Sequence, residues 1–470
     1  MDLFSMILSL ALLLNFIAVI GLIFFERKNP STTYAWLLIL ILLPYLGLIL
    51  YLLFGLSPRQ RQVFGRKSAA DVQKKTQLIR SKMDYQWPEL TKTESDLIFQ
   101  IHFHGQDIVY TKNNHVEVYS HAREKFKALF KAIKEAKHHI HVCYYIIRND
   151  RLGRALVNLL SKKAKEGVEV KLIYDSLGCR RLPQNFFAPL LSAGGTVTNF
   201  YPSLININYR NHRKIVVIDG KMGFTGGANV GMEYLRKGEG YSWRDTHIKV
   251  TGEAAKSLQV RFLLDWLFAA EEDLFHDSAY FPSALKAGNT GMQIVTSGPD
   301  SRYEEIKVFL LKMVYSAKKS IYIQTPYFIP DESFFEALHI AIRSGVDVKI
   351  IIPDRPDHPF VFWANRSYLD LMLQEGARGY IYKKGFLHSK VVIVDDKIAS
   401  VGTANIDVRS FKLNFEINAF IYDRHIAYKL TRDFYNDLMD SQEITREVFE
   451  KRGIPSRFKE SISRLLSPIL

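Results

Sequence analysis

The sequence predicts an α/β fold made of two similar halves packed as a pseudo-dimer, preceded by a two-helix transmembrane hairpin. Three observations lead to this prediction. The first sixty residues are apolar with few charges. From about residue 95, β-branched apolar runs alternate with helix-like stretches. A motif of eight residues occurs at positions 212–219 and again, 176 residues later, at 388–395.

The N-terminal segment contains two apolar runs separated by a charged turn. Residues 3–25 carry no ionisable group and are long enough to cross a bilayer. Residues 34–56 form a second run of spanning length, with Pro44 inside it, which transmembrane helices tolerate. A cleaved signal peptide or a buried helical hairpin fits less well, because the first run is too long and no Lys or Arg precedes it. We therefore predict a transmembrane hairpin over residues 1–57.

Flanking cations predict the orientation of this hairpin. The turn holds only Arg27 and Lys28, whereas eight Lys or Arg residues lie between positions 59 and 82. The positive-inside rule then places the N-terminus and everything after the hairpin on the cytoplasmic side. Residues 58–94 are predicted to be a basic juxtamembrane linker, which either lies on anionic membrane lipid or is simply solvated.

Composition limits the classes of function. The formal net charge of +15 favours nucleic acid, anionic lipid or an acidic substrate. Two cysteines, Cys143 and Cys179, cannot form a disulfide framework. Five other histidines have no carboxylate or cysteine at metal-ligand spacing, so we interpret them as incidental and predict no metal site. They are His102, His104, His138, His139 and His141.

The body is predicted to consist of two βαβ-containing halves, 95–290 and 291–470. The first half has strand-like runs near 139–147 and 168–174 with a helix-like stretch between them. The second half repeats this pattern near 320–352. Such apolar runs are typical of a sheet covered by helices.

The repeated motif is His-x-Lys-x4-Asp followed by Gly-x-x-Asn. The first copy comprises His212, Lys214 and Asp219, with Asn229 closing the glycine turn; the second comprises His388, Lys390 and Asp395, with Asn405. Side chains two apart in a strand share a face, so each His and Lys should point the same way. Two such faces can meet at one cleft if the halves pack together.

These residue types suit the exchange of a phosphodiester. Two Lys and two Asn side chains supply charge and donors for phosphorus oxygens. One His can attack phosphorus to form a phosphohistidine, while the other protonates the leaving alcohol and then deprotonates the incoming one. This chemistry requires neither a metal nor another cofactor.

Further carboxylates are assigned from the repeat. Aligning residues 243–248 with 414–419 places Asp245 opposite Glu416, and we expect both to orient a histidine ring, ordinary surface acids being the alternative. Asp219 and Asp395 fall on the opposite strand face from the lysines, which predicts structural carboxylates that link the halves. His247 is either a cleft residue or incidental.

The duplicated motif resembles the phospholipase D superfamily over residues 95–470. Segments 223–229, 241–247 and 405–416, together with the apolar N-terminus, are similar to bacterial cardiolipin synthases. The resemblance implies two phospholipase-D-like halves and a catalytic role for the whole motif. Within the two motifs, the resemblance implies that His212 is the nucleophile and His388 the acid/base. The implied catalytic residues are His212, Lys214, Asp219, His388, Lys390 and Asp395, with Asn229 and Asn405 on phosphate beside the lysines.

The resemblance also implies the reaction and its setting. Two molecules of phosphatidylglycerol would give cardiolipin and glycerol in a bacterial cell membrane, with no nucleic-acid partner. A phospholipase D hydrolase or another phosphatidyltransferase remains an alternative, and a nuclease or an inactive scaffold is less favoured. Met232 and residues 175–181 depart from the family pattern, which leaves substrate detail open. Residues 456–470 are predicted to be either an interfacial helix or a helix packed on the body, and the oligomeric state is not predicted.

Overall fold

A computed structural model of the chain describes most of the two halves and the apolar N-terminus. The described residues are 3–24, 30–55, 64–65, 67–74, 108–201, 208–235, 242–283, 286–301, 303–355 and 357–467. Most of the predicted linker 58–94, and with it His102 and His104 further on, lies outside these ranges.

The apolar N-terminus forms one long helix packed against a broken one. Helix α1 (Leu3–Phe24) has the length and composition to cross a membrane, and is the one helix of the described residues that does. The second apolar run consists of α2 (Pro30–Leu42), α3 (Pro44–Leu50) and a π-helical turn, Tyr51–Gly55. It is therefore not the single continuous span that was predicted. Leu43 has φ −130° and ψ 63°, because the ring of a following proline disfavours helical geometry.

The body is built on one continuous sheet. Its first-half strands are β1 (Tyr110–Tyr119), β2 (His139–Tyr144), β3 (Glu169–Tyr174), β4 (Thr196–Asn199), β5 (Arg210–Asn211), β6 (Ile215–Ile218), β7 (Met222–Gly226) and β9 (His247–Gly252). Its second-half strands are β10 (Thr290–Ser297), β11 (Ser320–Gln324), β13 (Asp347–Pro353), β14 (Arg378–Tyr382), β16 (Val391–Val394), β17 (Ile398–Gly402), β19 (Asn414–Tyr422) and β20 (Ser441–Ile444). Four short strands form two separate pairs, β8 (Ser242–Arg244) with β15 (Gly385–Leu387) and β12 (Phe328–Ile329) with β18 (Ile406–Asp407).

The two halves have the same strand order. It runs β1-β9-β7-β6-β2-β3-β4 in the first half and β10-β19-β17-β16-β11-β13-β14 in the second. They join edge to edge where β1 pairs antiparallel with β10. Strand β2 is parallel to β3, and β11 is parallel to β13, which confirms the predicted βαβ units.

The helices of the described body pack on the sheet or on one another. They are α4 (Ala122–Glu135), α5 (Arg151–Lys165), α6 (Ala188–Ser192), α7 (Ala254–Ala270), α8 (Glu305–Ser316), α9 (Glu332–Arg343), α10 (Pro359–Glu375), α11 (Val408–Lys412), α12 (Arg424–Met439), α13 (Arg446–Glu450) and α14 (Ile454–Leu466). A central core drawn from both halves lies on one face, and α7 and α12 contribute to it. Two further hydrophobic cores, one in each half, are separate from this central core.

The described part of the juxtamembrane segment packs on the body. Lys67 is buried and donates to Asp71 at 2.7 Å and to Asp300 at 2.6 Å. Phe64 packs edge-on against Phe415, with ring centroids 5.6 Å apart. Phe64 and Lys67 are therefore not simply solvated, and the rest of the linker stays a prediction.

Candidate active site

The two motifs lie in turns that lead into matching strands. His212, with Lys214, follows β5 and precedes β6, whereas His388, with Lys390, follows β15 and precedes β16. The predicted strand therefore begins one residue after each lysine. Both histidines retain 9% exposure, so each ring has a narrow opening to solvent.

Each motif is attached to the opposite half by its backbone. The amide of His212 donates to the carbonyl of Phe415 at 2.9 Å, and the amide of His388 donates to that of Arg244 at 2.7 Å. Two short parallel pairings, β5 with β19 and β8 with β15, hold these segments side by side. Each accepting residue immediately precedes one of the two carboxylates assigned from the repeat.

The carboxylates are exchanged between the halves. Nδ1 of His212 lies 2.9 Å from both carboxylate oxygens of Glu416, and Nδ1 of His388 lies 2.6 Å from Oδ2 of Asp245. Both carboxylates are buried. The alignment of the halves identified these two acids, but it did not predict which histidine each of them contacts. A carboxylate that accepts from Nδ1–H leaves Nε2 without its proton and directed away from the acid.

The two lysines are buried beside the histidines. Lys214 Nζ donates to the carbonyl of His212 at 2.6 Å, and Lys390 Nζ donates to that of His388 at 2.5 Å. Burial lowers the pKa of Lys214 to about 7 and that of Lys390 to about 8, and the charge of Lys390 adds to the effect on Lys214. Nearby carboxylates oppose this shift. Because the charge of Lys390 affects the pKa of Lys214, the two ammonium groups lie near each other.

Burial also keeps both imidazoles neutral. It lowers the pKa of His212 to about 4 and that of His388 to about 3. Glu416 opposes the shift at His212, while Lys390, whose Nζ lies 3.0 Å from Nδ1 of His388, adds to the shift there. The pKa of Glu416 is lowered despite its burial, because His212 and Lys214 stabilise its charge. Neutral imidazole with a free ring nitrogen is the form that can act as a nucleophile.

The two asparagines differ in their contacts. Asn229 accepts from the amide of Ile146 at 3.2 Å and donates to the Tyr234 hydroxyl at 3.1 Å, so its amide is held by the protein. Asn405 donates to Asp407 at 3.3 Å, and its buried Oδ1 has no hydrogen-bond partner among the described residues. Their assignment to phosphate remains a prediction.

Glycines make room for the first-half carboxylate. Gly226 has φ +142°, which favours glycine. A Cβ on Gly227 would lie 2.0 Å from Oδ1 of Asp245. The second half has Thr403 at the position of Gly227, and its hydroxyl accepts from the amide of Ile417 at 2.9 Å.

Aromatic rings enclose the histidines, and sequence reasoning did not assign them to the site. Tyr145 meets His212 edge-on with ring centroids 4.9 Å apart, and Trp243 lies 5.1 Å from His388. Tyr234 lies 5.9 Å from His388. The sequence could have indicated Trp243, because it lies two residues before Asp245. Tyr145 follows β2 and belongs to no motif that would have indicated it.

Asp219 and Asp395 do not link the halves, so that prediction is wrong. Asp219 accepts from the backbone amides of Lys137, His138 and His139, at 2.8–3.0 Å for the shortest contact of each. Asp395 does the same for residues 318–320. Each carboxylate ties the far end of its motif strand to the start of the neighbouring strand in its own half. Their inclusion among the catalytic residues stays a prediction that these contacts do not support.

His139 and His141 belong to a buried hydrogen-bonded network. His139 Nε2 lies 3.1 Å from Oε1 of Gln259, whose Nε2 donates to Nδ1 of His141 at 2.8 Å. His247 is buried against Gly226, and burial holds its pKa well below the usual value. Among the residues that the structure describes, no group of three or more His, Cys, Asp or Glu is placed to hold a metal ion.

Comparison with known proteins agrees with this geometry. The family described as "Cardiolipin synthase, PLD-like domain" matches residues 129–266 and 310–438, and the family "Phospholipase D-nuclease N-terminal" matches residues 13–55. The chain is 48% identical to the cardiolipin synthase of Oceanobacillus iheyensis and 48% identical to the major cardiolipin synthase ClsA of Bacillus subtilis, over 100% of this chain and of each relative.

A solved structure shares the fold. The phosphatidylserine synthase of Haemophilus influenzae matches with a TM-score of 0.62 at 18% identity, covering 76% of this chain and 95% of that one. The family match spans both halves, and the relatives match over their whole length. This chain therefore belongs to the cardiolipin synthase family of phospholipase-D-like proteins.

Proposed function

We propose that the protein is a phosphatidyltransferase that makes cardiolipin and glycerol from two molecules of phosphatidylglycerol. The observation that carries this proposal is the pair of histidines, each held by a carboxylate of the other half and each accompanied by a buried lysine. Full-length relatives that are named cardiolipin synthases support the choice of lipid substrate.

In the first step, Nε2 of His212 attacks the phosphorus of one phosphatidylglycerol. The P–N bond forms, the P–O bond to glycerol breaks, and the departing oxygen takes a proton from His388. Burial lowers the pKa of His388, so its ring is neutral before substrate binds. An entering phosphodiester anion favours the protonated imidazole, so the substrate brings the acid into its active form. The assignment of His212 rather than His388 as nucleophile follows the family resemblance.

In the second step, the terminal hydroxyl of another phosphatidylglycerol attacks the phosphohistidine. His388 accepts the hydroxyl proton, the new P–O bond forms, and the P–N bond breaks to restore His212. One phosphodiester replaces another, so no nucleotide is consumed. Lys214 and Lys390 stabilise the negative charge that gathers on phosphorus oxygens in both steps.

The apolar N-terminus supports a membrane location for the reaction. Helix α1 suits a bilayer crossing, and the broken second run packs on it, with Asn15 Nδ2 donating to the carbonyl of Leu40 at 3.1 Å. We propose that both runs lie in the bacterial cell membrane and that the catalytic body faces the cytoplasm. A reporter that requires the cytosol, fused after residue 470, should be active; activity confined to the outside would reverse the orientation.

The central experiment follows radiolabelled phosphatidylglycerol in detergent micelles with the purified full-length protein. Labelled cardiolipin and free glycerol are the expected products. Phosphatidic acid alone would identify a hydrolase. A hydrophilic alcohol can be added to compete with the second lipid as acceptor. Formation of its phosphatidyl ester would identify a phosphatidyltransferase of another specificity.

The roles of the histidines are separated by a phosphatidyl ester of p-nitrophenol, whose leaving group needs little protonation. His212→Ala should release no p-nitrophenol. His388→Ala should release one equivalent in a burst and accumulate the covalent phosphohistidine, because the first step no longer needs the acid. The opposite pattern would exchange the two roles. Bursts in both variants would contradict a single nucleophile.

A further inference from the structure

The C-terminal helix α14 exposes its apolar residues. Ile454 is 82% exposed, Phe458 66%, Ile462 38% and Leu465 55%. The spacing of four, four and three residues places them on one face of the helix. This face covers nothing in the described body, although apolar side chains normally lie inside a protein.

The opposite face of α14 is polar and buried. Glu460, Ser463 and Ser467 are each no more than 5% exposed. Arg452 donates to Glu460 at 2.6 Å, and the Ser467 hydroxyl lies 2.9 Å from the hydroxyl of Tyr368 on α10. The helix is therefore held on the body by hydrogen bonds, which leaves the apolar stripe free to contact something else.

Cations lie around this stripe. The segment 446–466 contains six Lys or Arg and three Glu. Two of the acids are already paired, Glu450 with Arg446 at 2.8 Å and Glu460 with Arg452. A cavity of about 360 Å³ opens between α10, α13 and α14, and its lining includes Arg457 and Arg464 as well as these two arginines.

We propose that α14 docks on the surface of an anionic bilayer, with the apolar stripe among the lipid head groups and upper acyl chains. An exposed apolar face bordered by cations is the pattern of a helix that lies in a membrane interface. Anionic head groups complement the surplus of cations better than a second copy of the same basic segment does, since two copies would repel. If α1 is in the membrane, this docking is intramolecular and needs little intrinsic affinity.

Docking can be measured on the full-length protein with a fluorophore on one cysteine. Phe458→Cys carries the environment-sensitive dye; the native Cys143 and Cys179 are buried and free. Tyr428→Cys, at a position 62% exposed on α12, is the matched control. In vesicles that contain phosphatidylglycerol, the dye at 458 should shift to the blue and be quenched at least about two-fold by spin-labelled lipid. The dye at 428 should do neither.

The remaining arms test the charge and the competing occupant. Arg457→Gln with Lys459→Gln and Arg464→Gln, or high salt, should reduce the quenching at 458 in anionic vesicles. Emission at 458 that remains typical of water in these vesicles would overturn the proposal. So would a blue shift that grows with protein density without lipid quenching, because that result indicates a second copy. None of these readouts depends on catalysis, so they are independent of the proposed reaction.

Discussion

At the scale of single residues, each histidine depends on a distant carboxylate. The partners are 204 positions apart for His212 with Glu416, and 143 for His388 with Asp245. A carboxylate on Nδ1 fixes the tautomer and stabilises the charged ring as protons move. Removing its charge should therefore affect chemistry more than folding.

We predict that Glu416→Gln and Asp245→Asn each lower kcat by at least about 100-fold, the scale of acid–base contributions. Both changes keep the side-chain size, so thermal stability should change little compared with activity. Labelled phosphatidylglycerol in micelles measures the rate. Glu443→Gln is the control, because Glu443 pairs with Arg378 at an exposed sheet edge. A rate near that of the control in either variant would exclude the orienting role.

The pH profile should be bell-shaped. His212 must be neutral to attack, and its pKa of about 4 sets an acid limb along which activity falls as the pH drops. Lys214 is charged only below its pKa of about 7, and Lys390 below about 8, so charge on the phosphate site is lost as the pH rises. We expect kcat, which reports the substrate-bound enzyme in which His388 is protonated, to be highest between these limits. A value that still rises from pH 7 to pH 9 would contradict the assigned role of the lysines.

The sequence predicted which residues lie together in the candidate site, but not how they pair. Repetition singled out His212 and His388, and alignment of the halves added Asp245 and Glu416. The exchange of carboxylates depends on which strand edges meet, and it results from the short pairings of β5 with β19 and β8 with β15. Local sequence holds no signal for such long-range pairing.

At the scale of elements, the last motif residue closes a turn rather than lining the cleft. Asp219 has φ +53° and accepts from three backbone amides. Asp395, with φ +54°, repeats this in the second half. Asp tolerates the left-handed conformation better than most side chains do.

We predict that Asp219→Ala lowers the free energy of unfolding by about 1–3 kcal/mol, because amides lose their acceptor and alanine is strained at this φ. Asp219→Asn should lose less, since its amide oxygen still accepts. Thermal unfolding in detergent measures the loss, and specific activity well below the melting range should stay near wild type. An inactive variant with an unchanged melting temperature would instead place Asp219 in the chemistry.

The N-terminal elements show where composition stops predicting. Hydropathy correctly predicted the apolar runs, but it does not take account of a residue that lacks a backbone N–H donor. Pro44 cannot donate to the helix, and the conformation of Leu43 ends α2 there. The one described helix of spanning length is thus α1.

At the scale of the whole molecule, the site exists only where both halves meet. The continuous sheet passes from one half to the other through β1 and β10, and we propose the boundary near residue 290. That the chain has two similar halves was predictable from the repeat. That the two halves join through β1 and β10 was not predictable, since the repeat does not show which strand edges pair.

We predict that a chain ending at residue 286 forms no phosphohistidine, although it retains His212 and Lys214. It lacks Glu416, and the carbonyl of Phe415 no longer positions the motif. The p-nitrophenyl ester and acid-labile labelling measure this. Addition of residues 287–470 as a separate chain should restore a burst if the halves reassemble. A burst from the first part alone would show that the halves act independently.

The exchanged carboxylates also govern timing during synthesis. The ribosome completes the first half well before it reaches codon 416, so the emerging chain contains His212 without the acid that orients it. Catalytic competence arrives only when the second half has been made and docked. We therefore expect a chain that ends before residue 416 to leave the surrounding lipids unchanged, because its histidine has no carboxylate partner.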